Sequence, residues 1–214
     1  MDGAALVSET GKQIIVLHGG TSYHLMGVEQ PPVSDLIDRA IYAPRFRASD
    51  LDDAAIAVVA CRTHPKHIVP LAADLRAFLD RGGMVVAMGD TQPQLWLPNV
   101  RYAAHEPNYW WWLMQGATLG LSADSPDHSF HRALAVAGCS WHHHGVFDPP
   151  AEARVLLRER EGRPIMYEDT TSTGGRMLLM SLDPIFHHGR MHIPKTTPFA
   201  EKFFAWLRDE RSRR

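Results

Sequence analysis

The stretch Arg81-Gly82-Gly83-Met84-Val85-Val86-Ala87-Met88-Gly89-Asp90-Thr91 constrains the fold more than any other part of this chain. Its five consecutive apolar residues show no alternation, so they read as a strand buried on both faces of a sheet. Just upstream, Leu71, Leu75, Phe78 and Leu79 recur at i, i+4, i+7 and i+8. That period predicts an amphipathic helix over residues 70–80, with Gly82 as its C′ cap. Helix, tight turn and buried strand together are the working unit of a parallel α/β sheet. Such a strand delivers its last residues to a crevice at the C-terminal edge of the sheet. Here those residues are Gly89, Asp90 and Thr91, with no cysteine, serine or histidine among them.

Other segments extend the pattern. Residues 13–17 (Gln-Ile-Ile-Val-Leu) and 55–61 (Ala-Ile-Ala-Val-Val-Ala-Cys) read as two more buried parallel strands. The first runs into His18-Gly19-Gly20-Thr21-Ser22-Tyr23-His24, where the glycines permit a tight turn and close approach by a ligand. An ordinary strand-to-helix turn fits those residues equally well. Ser34 is a plausible N-cap for a helix through Ala40, and residues 41–46 suit a short strand that Pro44 places at an edge. Residues 99–104 read as a further strand. Residues 154–159 and 164–168 form an antiparallel hairpin around Glu161-Gly162-Arg163, and residues 176–182 are the next strand. In the closing helix, residues 198–208, Phe199, Phe203, Trp206 and Leu207 again fall at i, i+4, i+7 and i+8. Strands alternating with helices, then a hairpin and a last helix, imply one α/β domain over residues 1–214. Its sheet is mostly parallel and doubly wound with an antiparallel extension near the C-terminus, and residues 1–12 and 209–214 are expected as loose ends.

Charge narrows the partners. A formal net charge of -2 gives no reason to expect nucleic acid or an anionic membrane surface. No apolar run approaches the roughly 20 residues that a membrane helix needs, and residues 1–12 lack the regions of a secretion signal. The 2 cysteines, Cys61 and Cys139, fit a reducing compartment, so a cytoplasmic protein is expected. Cys61 reads as a buried structural thiol.

The unusual feature is 13 histidines in 214 residues. His18, His24, Asp90, His142, His144, Asp183 and His187 all fall at expected strand ends. A neutral imidazole there suits a general base near neutral pH, with Asp90 or Asp183 orienting it. Within Cys139-Ser140-Trp141-His142-His143-His144-Gly145, read as entering a strand, His142 and His144 share one face and His143 takes the other. That pair suits a divalent transition metal such as zinc, with His187 or Asp183 as a third ligand. The same spacing also fits a polar, half-exposed strand. Tyr109-Trp110-Trp111-Trp112 cannot all face one core from a helix. Either a short helix packs under a loop with one edge exposed, or Trp110 or Trp111 forms a wall over a sugar-like ligand.

These pieces resemble the class I glutamine amidotransferase-like superfamily, and within it the trehalose-utilisation (ThuA-like) group. Residues 71–90 resemble the segment leading to the superfamily's nucleophile elbow. Trp112-Leu113-Met114-Gln115-Gly116 resembles the group's Trp-x-x-Leu-x-Gly-Gly stretch. Asp127-His128-Ser129-Phe130, residues 141–150 and Val155-Leu156 resemble its Asp-His-Pro-Ile segment, a polar Asp-Glu-x-Tyr strand, and a Pro-Pro turn before a Val-Leu strand. Residues 175–183 and 199–207 resemble its closing Gly-Arg-Val strand, Gly-His-Asp turn and Trp-ended helix. The resemblance implies a flavodoxin-like three-layer α/β/α domain.

Departures from the pattern matter for function. Glutaminases of the superfamily carry a cysteine at the elbow, and the trehalose-utilisation group tends to carry a histidine. Here the elbow reads Met88-Gly89-Asp90. The Asp-Glu-x-Tyr strand has become His142-His143-His144-Gly145, and the Gly-His-Asp turn has become Leu182-Asp183-Pro184. The resulting expectation is a protein that binds or acts on a small polar, carbohydrate-like metabolite. Its catalytic candidates are His24, Asp90, Asp183 and His187, and its ligand-binding candidates are His18, Gly19, Gly20, Thr91, Trp110 and Trp111. The alternative is a non-catalytic assembly domain, such as the trimerisation domain of some β-galactosidases, which makes a homo-oligomer a candidate state. A lesser alternative is a glutaminase-like hydrolase using Cys61 or Cys139.

Overall fold

In the computed structural model, residues 13–105, 115, 118–191, 193 and 195–212 are described. The chain begins with β1 (Gln13–His18), α1 (Ser22–Glu29), β2 (Arg39–Tyr42) and β3 (Ala54–Val59). A short α2 (Pro65–Ile68), α3 (Ala72–Asp80) and β4 (Met84–Met88) follow. After β5 (Tyr102–Ala104) come β6 (Ser122–Ala123), α4 (Ser129–Ala133) and β7 (Gly145–Phe147). The chain closes with β8 (Arg154–Arg158), β9 (Pro164–Asp169), β10 (Arg176–Met180), α5 (Pro184–Arg190) and α6 (Thr196–Ser212).

Among the described residues the main sheet has 8 strands in the order β2-β1-β3-β4-β10-β9-β8-β6. The first five are parallel, and β9, β8 and β6 continue as the antiparallel extension. A second, two-stranded sheet pairs β5 with β7. Alternate side chains of the central strands enter two separate cores, as strand geometry requires. Val16, Val58, Val86 and Leu178 meet Phe199 and Phe203 of α6, whereas Leu17, Val59, Val85 and Leu179 meet Leu75, Phe78 and Leu79 of α3. The result is the expected flavodoxin-like, three-layer α/β/α sandwich.

Several elements differ from the sequence reading. Residues 34–40 do not form a helix. Asp38 donates its N–H to the Ile14 carbonyl at 2.9 Å, and β2 already pairs with β1 from Arg39, so edge pairing overrides local capping. The strand-to-helix turn after β1 leads directly into α1 at Ser22, well before the helix expected from Ser34. The helix expected from Pro70 starts at Ala72, behind α2 and a 3-10 turn at Val69–Leu71. β5 covers only part of residues 99–104 and lies outside the main sheet. The stretch 209–212, expected as part of a loose end, is helical. There Arg176 links buried Glu168 (3.0 Å) to Glu210 (2.9 Å), which ties α6 to β9 and β10.

Register determines where a site can form. Leu17 pairs with Val59, Val59 with Ala87, and Met88 with Met180. The C-terminal ends of β1, β3, β4 and β10 therefore lie side by side. They present His18, Cys61, Gly89 and residues 181–183 along one edge of the sheet. No helix among the described residues is long and apolar enough to cross a membrane.

Candidate functional site

Asp183 is the centre of the site, and local sequence explains its position. The N–H of Gly89 donates to the Met180 carbonyl at 2.8 Å, extending the β4–β10 pairing one residue past the strands. Asp183 then precedes Pro184, the first residue of α5, where the ring's fixed φ is already helical and its missing N–H is not needed. His187 follows four residues after Asp183, so the two share a helix face. The sequence reading took Asp183-Pro184-Ile185-Phe186-His187-His188-Gly189 as a strand end. It opens a helix instead. The histidine triplet arrives from the loop before β7, not on a strand as expected. It is attached to the end of β10 by the His144 N–H, shared between the Ser181 carbonyl (3.0 Å) and hydroxyl (2.9 Å).

All of these side chains are buried, and Asp183 is completely so. Asp183 Oδ2 accepts from His144 Nε2 at 2.8 Å, with Arg62 Nε at 3.6 Å. Its Oδ1 accepts from Trp141 Nε1 at 3.0 Å and lies 3.1 Å from His187 Nε2 and 3.5 Å from His142 Nε2. The Nε2 atoms of His142 and His187 are 2.9 Å apart. Burial by itself would raise the Asp183 carboxyl. Hydrogen bonds from His142, His144 and His187 outweigh that and hold it well below the usual carboxylate range, so it is an anion. Burial lowers His187 despite the opposing pull of Asp183. His142 and His144 thus serve one carboxylate together, while His143 turns away to the Gly145 carbonyl (3.2 Å) and the His105 ring. One ligand-type atom from each of His142, His144 and Asp183 lies within 4.8 Å of the others, close enough to hold a metal ion.

Beside this cluster the elbow glycine keeps a left-handed backbone, with φ 55° at Gly89. A Cβ there would stand 2.7 Å from Cys61 Cβ and 3.1 Å from Asp183 Cβ. The room that a nucleophile would need is filled. Neither cysteine replaces it. Burial and the charge of Asp183 push the Cys61 thiol up, and its Sγ accepts the Phe186 N–H at 3.3 Å. Burial pushes Cys139 up to about 12. Neither thiol is a thiolate near neutral pH.

Three buried polar atoms near the elbow meet no hydrogen-bond partner among the described residues: Asp90 Oδ1, Thr91 Oγ1 and the Tyr102 hydroxyl. Tyr102 lies near Ser181, Asp90 and Asp183. Burial and the Asp90 charge raise its phenol above the ordinary range. Thr91 is fixed from the backbone, its carbonyl accepting Trp96 Nε1 at 3.0 Å.

The other expected site residues lie further along the edge. His24 is completely buried on α1. Its Nδ1 accepts from the Gly19 N–H (3.2 Å) and lies 2.9 Å from Thr21 Oγ1, and its Nε2 donates to the Cys61 carbonyl (2.7 Å). Burial pushes it down to about 4, so it is neutral. It acts as a tie between β1, α1 and the end of β3. His18 Nδ1 accepts from the Gly20 N–H at 3.1 Å, and Gly20, at φ 77°, packs against the Tyr42 ring. Among the described residues no contact joins His18 or His24 to Asp183. Trp110 and Trp111 lie outside the described residues. Sequence reasoning missed Trp141, Arg62, Ser181 and Tyr102. Only Trp141 carried a signal, since a buried indole N–H needs an acceptor nearby.

No protein-family model matches the chain, and no curated protein matches it. Solved structures do, and what they share with the chain is the fold, which is also that of a putative ThuA-like protein and a putative GMP synthase component. The chain superposes on a cytoplasmic protein of Salmonella typhimurium with a TM-score of 0.60 at 11% identity, over 90% of this chain and 98% of that one. A putative GMP synthase component of Thermoplasma acidophilum gives 0.58 at 10% identity, over 94% and 96%. A putative ThuA-like protein of Bacteroides uniformis gives 0.50 at 11% identity, over 96% and 95%. At these identities the likeness is one of fold.

Proposed function

We propose that this protein binds, and acts by acid–base chemistry on, a small polar, carbohydrate-like metabolite at the C-terminal edge of its sheet. The observation that carries this reading is the group of partnerless buried polar atoms on Asp90, Thr91 and Tyr102. Each such atom costs about 1–3 kcal/mol if nothing meets it. A carboxylate and a hydroxyl just past the end of β4, with a phenol that feels the Asp90 charge, suit the hydroxyls of a polyol or sugar, which both donate and accept. The anion at Asp183 orients His144 through Nε2, and His144 then has Nδ1 for proton transfer. Glutamine hydrolysis by an elbow thiolate is not part of this reading, because Gly89 occupies the elbow. The buried, unpaired cysteines support a reducing, cytoplasmic setting.

Calorimetric titration with a panel of neutral sugars, polyols and sugar acids tests the proposal. At least one member is expected to bind, with affinity falling about tenfold or more in both Asp90→Ala and Tyr102→Phe. The surface variant Arg154→Ala is expected to bind as the parent does. No binding across the panel at millimolar concentration, or binding untouched by both substitutions, would overturn it.

A further inference from the structure

Three ligand-type atoms stand at the corners of a small triangle. His142 Nε2 and His187 Nε2 are 2.9 Å apart, and they lie 3.5 Å and 3.1 Å from Asp183 Oδ1. Protons alone explain this arrangement poorly. Either two N–H groups converge on one carboxylate oxygen with their nitrogens 2.9 Å apart, or at least one Nε2 presents a lone pair to its neighbours. Zinc binds nitrogen and carboxylate oxygen at about 2.0–2.2 Å in tetrahedral geometry, which puts neighbouring ligand atoms roughly 3.3 Å apart. The sides of the triangle bracket that separation. The two imidazole planes meet at 73°, as rings converging on one point do, rather than stacking.

The carboxylate is also held from outside. Trp141 Nε1 donates to Oδ1 and His144 Nε2 to Oδ2, which fixes the rotation of the carboxyl group. Outer hydrogen bonds of this kind orient the first ligands of metal sites. We propose that His142 Nε2, His187 Nε2 and Asp183 Oδ1 bind one divalent transition metal ion of the zinc class, with His144 as a positioning residue on Oδ2. The ligand set differs from the sequence expectation, in which His142 and His144 were the first pair. His144 Nε2 is near enough to be considered a ligand, but its 2.8 Å bond to the other carboxylate oxygen gives it the outer role. Two nitrogens and one oxygen leave at least one coordination position for water or a ligand oxygen. The assignment stands on donor geometry and is independent of the metabolite class proposed above.

The test uses the full-length chain without a histidine tag, stripped with a chelator and titrated first with Co²⁺ and then with Zn²⁺. Visible absorption and elemental analysis are the readouts, with no sugar present, so this proposal and the metabolite reading succeed or fail separately. About one equivalent per chain is expected, with a four-coordinate Co²⁺ spectrum that lacks a sulfur-to-metal band. His142→Ala and His187→Ala should each weaken binding about 100-fold or more. His144→Gln should weaken it about 10–100-fold while keeping the spectrum. Circular dichroism checks folding, and His142→Gln and His187→Gln replace any alanine variant that does not fold. No binding of either metal at micromolar concentration would overturn the proposal. So would His187 variants that bind like the parent, or a His144→Gln variant that abolishes the four-coordinate spectrum.

Discussion

At Gly89 the backbone has the left-handed conformation of an elbow, yet the side chain that elbows exist to present has no space. Cys61 Cβ and Asp183 Cβ stand where it would go. A left-handed alanine costs about 1–2 kcal/mol, and overpacking adds about 1–3. Gly89→Ala is therefore expected to lower unfolding free energy by about 2–5 kcal/mol, read from urea denaturation. Gly89→Cys is expected to release no glutamate from glutamine, because the added side chain displaces Asp183 before it can act as a nucleophile. A loss under about 0.5 kcal/mol in Gly89→Ala would show that the elbow has room after all. Glycine at the elbow is plain in the sequence. Its crowding is not, since Cys61 and Asp183 come from two other strand ends.

Among elements, α5 links the fold to the site. It rests on α1 with backbone against backbone: a Cβ on Gly27 would stand 2.5 Å from the Ile185 carbonyl oxygen, and one on Gly189 would overlap the Tyr23 carbonyl. Glycine at both positions lets α5 sit close against α1, which sets where its His187 meets His142 of the incoming triplet. Gly189→Ala should push the helices apart, costing about 1–3 kcal/mol and weakening Co²⁺ binding as His187 moves. An unchanged unfolding midpoint and an unchanged Co²⁺ titration would refute this. The sequence reading missed α5 because Asp183-Pro184 reads as a break, while proline at a first helical position starts a helix. It expected a helix at 34–40 because Ser34 is a good cap, and pairing of β2 with β1 prevailed. By contrast β4 was legible to the residue, because five apolar positions between glycines allow little else.

For the molecule as a whole, the buried histidines make stability depend on pH in a direction that can be worked out. Unfolded, His24 takes up a proton near 6.5; folded, buried against the Cys61 carbonyl, it does so only near about 4. Between those values the unfolded chain binds more protons, so folding stability falls on acidification. The contribution is fully present above pH 6.5 and is lost toward pH 4 by up to about 1.4 kcal/mol per pH unit. Urea denaturation of the parent across that window should show this slope. His24→Gln, which keeps a donor for the Cys61 carbonyl, should show a shallower one. Equal slopes would mean that His24 does not titrate differently on folding.

Periodicity and apolar runs are local properties, and they let the sequence by itself determine the doubly wound, mostly parallel sheet, its central strands and the lack of a cysteine, serine or histidine at the end of β4. Tertiary structure alone decided that His142 and His144 meet His187 across Asp183, over separations of 39 and 45 residues. It also decided that His18 and His24 do not join them. The reason is physical: strand register aligns the ends of β4 and β10, and the Ser181 contact draws in the triplet. No pattern within any one segment encodes such a meeting.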